Sequence, residues 1–143
     1  HGEAYDPEIV TTDDYTYTYK VTYQKQWSEF NLCGRTVSLD EYSGIAFELA
    51  EAPAAGELSV KVYGESDGME QYVGVSSANG TVMFDTAVLG AKANRVTLQY
   101  SKTQPRTVTV KGASLIRKDG TLEKQDLSTF WGCEVEVVFT SRP

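Results

Sequence analysis

Between positions 15 and 23 the chain reads YTYTYKVTY, with Tyr15, Tyr17, Tyr19, Val21 and Tyr23 on one parity and Thr16, Thr18, Lys20 and Thr22 on the other. Successive side chains of a strand point to opposite faces, so this period of two predicts a half-buried β-strand. The same period recurs at 45–50, 57–64, 69–76, 81–85, 94–101, 106–118 and 131–139, with shorter pieces at SEFNLC and RTVSL. Turn residues punctuate the runs: Pro53 and Gly56, Asp67-Gly68, Asn79-Gly80, Pro105 and Asp119-Gly120. Strands at this spacing, with FELAEAPAAGEL as the one short helix-like stretch and Pro53 and Gly56 cutting it, predict an all-β fold. The expected architecture is a two-sheet antiparallel β-sandwich of jelly-roll type. The polar, acidic opening reads as a terminal arm or linker over 1–13, leaving 14–143 as the domain.

Composition narrows the partners. The 143 residues are enough for one core, and 41% hydrophobic with 23% charged residues places the chain among ordinary globular domains. A formal net charge of −7 removes the basic surface that nucleic acids and anionic membranes require. No apolar run is long enough to span a bilayer, and no charged-then-apolar leader opens the chain, so any signal peptide is expected to have been removed already. Cys33 and Cys133 are too far apart for a CxxC motif and too few for a zinc site. They pair or stay reduced. In a secreted domain the expectation is a Cys33–Cys133 disulfide joining early and late strands, contributing up to ~4–5 kcal/mol on the chain-entropy model.

Catalytic chemistry finds little footing. The one histidine is His1, which lacks the second imidazole that an amino-terminal copper site needs and reads as a linker residue. Without an internal histidine or a GxSxG motif, nucleophilic hydrolysis has no base. Glycine-rich phosphate loops are absent. A pair of carboxylates is the remaining route, and the strand acids Glu48, Glu70, Glu134 and Glu136 read more simply as solvated outer faces.

A neutral polysaccharide presents flat C–H faces rimmed by hydroxyls, so its binder needs exposed aromatic plates with hydrogen-bonding side chains between them. Nine tyrosines and two tryptophans supply the material. With Leu58, Val60 and Val62 inward, Ser59, Lys61 and Tyr63 face out; Glu70 and Tyr72 oppose Met69, Gln71 and Val73; Arg95, Thr97 and Gln99 oppose Val96, Leu98 and Tyr100. An outer face carrying Lys61, Tyr63, Glu70, Tyr72, Gln99 and Lys111 is expected. Trp27 lies in the polar stretch QKQWSEF, whereas Trp131 shares parity with Cys133, Val135 and Val137, which points it inward. The candidate plates are Trp27, Tyr63, Tyr72 and Trp131, and the candidate hydroxyl partners are Lys61, Glu70, Gln71 and Gln99. Tyr15, Tyr17 and Tyr19 read as core or edge packing.

The segments WSEFNL, DEYSGIAFELAEA, LSVKVYGE with the following EQYV, and VTVKGASLIRKDGT resemble the jelly-roll carbohydrate-binding modules appended to bacterial plant-polysaccharide hydrolases, over most of residues 27–121. The resemblance implies an extracellular, monomeric, non-catalytic module tethered to a glycoside hydrolase. Its implied partner is plant cell-wall polysaccharide of the β-1,4-glucan class: cellulose, mixed-linkage glucan or xyloglucan. Many such modules hold a structural calcium; this chain has no EF-hand spacing, which leaves Asp13, Asp14 and Asp126 as candidate ligands, and binding itself is expected to need no cofactor. The alternative readings are a protein-interaction or adhesion β-sandwich and a small glycosidase or lyase using an acidic pair.

Overall fold

The computed structural model describes residues 15–141; the terminal arm read over 1–13, with His1 and Asp13, and Asp14 beside it, lies outside the described residues. In chain order the elements are β1 (Tyr15–Tyr23), β2 (Glu29–Cys33), β3 (Val37–Ser38), β4 (Tyr42–Leu49), β5 (Leu58–Tyr63), β6 (Glu70–Gly74), β7 (Asn79–Met83), the short helix α1 (Thr86–Leu89), β8 (Lys92–Ala93), β9 (Arg95–Tyr100), β10 (Arg106–Arg117), β11 (Leu122–Lys124), β12 (Ser128–Trp131) and β13 (Cys133–Ser141). Two antiparallel sheets carry the fold. One has the order β13-β1-β10-β4-β7 with β11 also on β10, the other β12-β2-β9-β5-β6, and β3 pairs with β8 apart from both. The two orders run in step: β13 and β12, β1 and β2, β10 and β9, β4 and β5, β7 and β6 hold corresponding positions, so the chain repeatedly crosses from one sheet to the other.

The alternation seen in the sequence sets what each strand buries. Along β5, Leu58, Val60 and Val62 are buried while Ser59, Lys61 and Tyr63 are half-exposed. Opposing strands add Val21, Tyr23, Phe30, Leu32, Ile45, Leu49, Val96, Leu98, Val110 and Leu115 to one core. Fully burying each such side chain stabilises the fold by about 1.5–3 kcal/mol relative to leaving it exposed. Tyr23 is buried outright, stacked on Tyr100 at 5.2 Å, and its hydroxyl donates to the Leu98 carbonyl at 2.8 Å. Desolvation pushes that hydroxyl's pKa well above the ordinary tyrosine value. Tyr19 is buried and Tyr17 half-buried, as core and edge packing requires.

Two expectations are corrected. Asn79-Gly80 is not a turn but the start of β7, where Gly80 lies under the Phe47 ring; a Cβ there would sit 3.3 Å from the ring. The Cys33–Cys133 disulfide is not formed, and both thiols are free. Cys133 Sγ donates to the Glu29 carbonyl at 3.2 Å, at the start of β2, whereas Cys33 ends that strand and donates to the Arg35 carbonyl. Four residues of extended chain separate those two points by about 13 Å. A disulfide needs its Cα atoms within about 7 Å. Both thiols have pKa values raised mainly by burial, the mark of inert cysteines.

Candidate functional site

Registers of the β12-β2-β9-β5-β6 sheet place its outward side chains in rows across the strands. One row runs Trp131, Glu29, Gln99, Ser59, Gly74; the next runs Ser128, Asn31, Thr97, Lys61, Tyr72; the third brings Arg95, Tyr63 and Glu70 together. At the centre Glu29, only 7% exposed, accepts the Tyr63 hydroxyl on both oxygens at 2.7 and 2.8 Å and the Thr97 hydroxyl at 2.7 Å. The Lys61 ammonium lies 4.0 Å from Glu29 and 3.8 Å from Glu70, and sits over the Tyr63 and Tyr72 rings at 4.5 and 5.5 Å from their centroids. A carboxylate can be buried when it is paired and hydrogen-bonded, and this cluster meets both conditions.

The titration behaviour follows from those contacts. Burial works against the Lys61 charge, but Tyr63, Tyr72 and the Glu29 carboxylate outweigh it and hold its pKa above the ordinary lysine value. Burial, then the bond to Glu29, pushes the Tyr63 hydroxyl up to about 12. Beside this cluster Asn31 accepts from Arg95 at 2.7 Å, and the Arg95 guanidinium stacks 4.0 Å above the centroid of the Phe130 ring. These contacts fix the geometry of the floor.

Around the floor stand exposed aromatic rings, Tyr72 at 53%, Trp131 at 49% and Phe130 at 42% exposure, with Tyr63 half-buried among them, and Trp27 is 53% exposed. Trp27 precedes β2 and is the one described non-glycine residue with positive φ, at 72°. That region costs an L-residue roughly 1–2 kcal/mol. The conformation is held by the Trp27 amide donating to the Tyr100 carbonyl at 2.9 Å and by Gln99 donating to the Trp27 carbonyl at 3.4 Å. Residues held in sparsely populated backbone regions cluster at functional sites, which makes Trp27 a candidate. Trp131 faces out, contrary to its parity with β13. Gly132, with φ 69°, separates β12 in one sheet from β13 in the other, so the alternation of β13 does not carry back across it.

Of the residues singled out from sequence, Tyr63, Tyr72, Trp131, Lys61, Glu70 and Gln99 share this sheet's outer side, and Trp27 is exposed just before β2 with its carbonyl bonded by Gln99. Gln71 does not: its register partner is the buried Val62, and its amide donates to the Met83 carbonyl and accepts from the Asp85 amide, both at 3.0 Å. It closes the edge between the two sheets. Lys111 belongs to β10 in the other sheet, 3.9 Å from Glu48, and the expectation that it shares this face is corrected. Glu134 and Glu136 are exposed. Sequence reasoning missed Phe130, Glu29 and Asn31 as members of the site. The alternation of Glu29 and Asn31 with the buried Phe30 and Leu32 in SEFNLC carried the signal for two of them.

Among the described residues no group of three or more His, Cys, Asp or Glu side chains is gathered as a metal site; Asp126, in the link between β11 and β12, is exposed. No described helix is long and apolar enough to cross a membrane. No protein-family model, curated protein or solved structure matches the chain.

Proposed function

We propose that the chain is a non-catalytic carbohydrate-binding module of jelly-roll winding, which holds a β-1,4-glucan-type polysaccharide against the β12-β2-β9-β5-β6 sheet and so targets an attached, secreted glycoside hydrolase. One observation carries the reading: Trp131, Phe130 and Tyr72 are exposed, with Tyr63 half-buried, on one face whose floor is a hydrogen-bonded set of polar groups. Scattered exposed apolar residues are ordinary, but three large exposed rings beside Tyr63 on one sheet face are not. From β12 to β6 the face spans four inter-strand spacings, about 19 Å, room for several pyranose rings in a row. The stepwise pairing of the two sheet orders supports the jelly-roll winding.

The acidic-pair alternative has one point in its favour, since Glu29 and Glu70 reach toward the same place. The Lys61 ammonium occupies that place, however, where a glycosidase needs the glycosidic oxygen or the attacking water. Binding without turnover is therefore the expected outcome. Native electrophoresis through gels containing cellulose derivatives, mixed-linkage glucan or xyloglucan should retard the protein, with no reducing sugar released on prolonged incubation. Unretarded migration in every gel overturns the proposal, and steady release of reducing sugar replaces it with the glycosidase reading.

A further inference from the structure

A groove of about 620 Å³ opens beside the aromatic face, and Tyr63, Phe130, Arg95 and Glu70 belong to both. Its far wall is the β5–β6 hairpin, where Ser66 and Asp67 are exposed. Such a volume lies within the range of pockets that enclose small ligands. The groove opens off this face at Tyr63, whose register neighbours are Arg95 and Glu70. A glucan chain laid across the strands from β12 to β6 leaves that side opening to water.

Resting on the carbohydrate-binding reading, we infer that the groove is a subsite for a neutral sugar branch, and that the ligand is a substituted glucan chain rather than a bare one. The chemistry of the walls gives the class. Arg95 spends one N–H on Asn31 and takes part in no ion pair among the described residues, which leaves guanidinium donors facing the groove. Asp67 and Glu70 offer acceptors across from it. Donors on one side and acceptors on the other suit hydroxyl groups, each of which gives one hydrogen bond and accepts others. A uronate branch would meet Glu65, Asp67 and Glu70 against a single Arg95, and like-charge repulsion disfavours it.

Calorimetric titration of the intact chain with two β-1,4-gluco-oligosaccharides of equal backbone length, one bare and one bearing single xylosyl branches, tests the inference. The branched ligand should bind at least about 10-fold more tightly. Ser66→Trp, which fills the groove from an exposed turn position, should cut the branched-to-bare ratio below about 2-fold with an unchanged melting temperature. Equal binding of the two ligands by the parent, or an undiminished ratio in Ser66→Trp, overturns the branch subsite while leaving the carbohydrate-binding reading standing. Tighter binding of a glucuronosyl-branched ligand than of the xylosyl one overturns its neutral character. Failure of both ligands to bind removes the carbohydrate-binding reading and the subsite with it.

Discussion

The Tyr63 hydroxyl bonds both oxygens of the Glu29 carboxylate, tying β5 across β9 to β2 beneath the candidate binding face. Because Thr97 and Lys61 use the same carboxylate, its removal takes the acceptor from two hydroxyls at once and leaves the ammonium with Glu70 alone. Glu29→Ala is expected to lower stability by about 3 kcal/mol in urea titrations, the cost of breaking a buried pair from one side. Glu29→Gln should cost less, since an amide oxygen still accepts. A Glu29→Ala variant as stable as the parent would show that the cluster does not organise the face.

The same contacts set an alkaline limit. Tyr63 is raised to about 12 and Lys61 is raised as well, so both groups bind protons more tightly in the folded than in the unfolded chain. Their contribution to stability is complete below the unfolded tyrosine value near 10 and is lost as pH climbs through the folded values. Urea midpoints measured between pH 9 and 12 should fall across that window. Tyr63→Phe should show a shallower fall; an identical slope in the two proteins would remove Tyr63 from the account.

Both cysteines should titrate. The unfolded, unreduced protein is expected to yield two thiols with a thiol reagent, and reducing agent should leave the melting temperature unchanged. An absence of reactive thiols would restore the disulfide and require the β2 and β13 ends to approach each other.

Strand parity was legible wherever one chain segment stays in one sheet. It placed Lys61, Tyr63 and Gln99 on the outer side because β5 and β9 are regular and their inner residues are apolar without a break, and Tyr72 because β6 alternates in register with β5. It failed for Trp131 because Gly132 passes the chain between sheets, and for Asn79-Gly80 because a glycine there serves close packing on Phe47 rather than a reversal. Sheet membership was beyond reach: nothing local distinguishes Lys111 in β10 from Lys61 in β5, since long-range pairing decides it. The distance between the cysteines had the same origin.

Removal of the exposed indoles should separate affinity from stability. Stacking a sugar face removes about 80 Å² of apolar surface from water, about 2 kcal/mol per plate, and after the cost of ordering the glycan a dissociation constant of about 10 μM to 1 mM is expected. The most direct measurement is calorimetric titration of β-glucan oligosaccharides into the parent, Trp131→Ala and Trp27→Gly. Trp27→Gly relieves a positive-φ strain as it deletes a ring, so it should keep or raise the melting temperature while losing about 10-fold or more in affinity. Trp131→Ala should lose affinity similarly with stability unchanged. A parent that binds no β-glucan, or variants that both bind it as the parent does, would contradict the account and move the protein-interaction reading ahead of it.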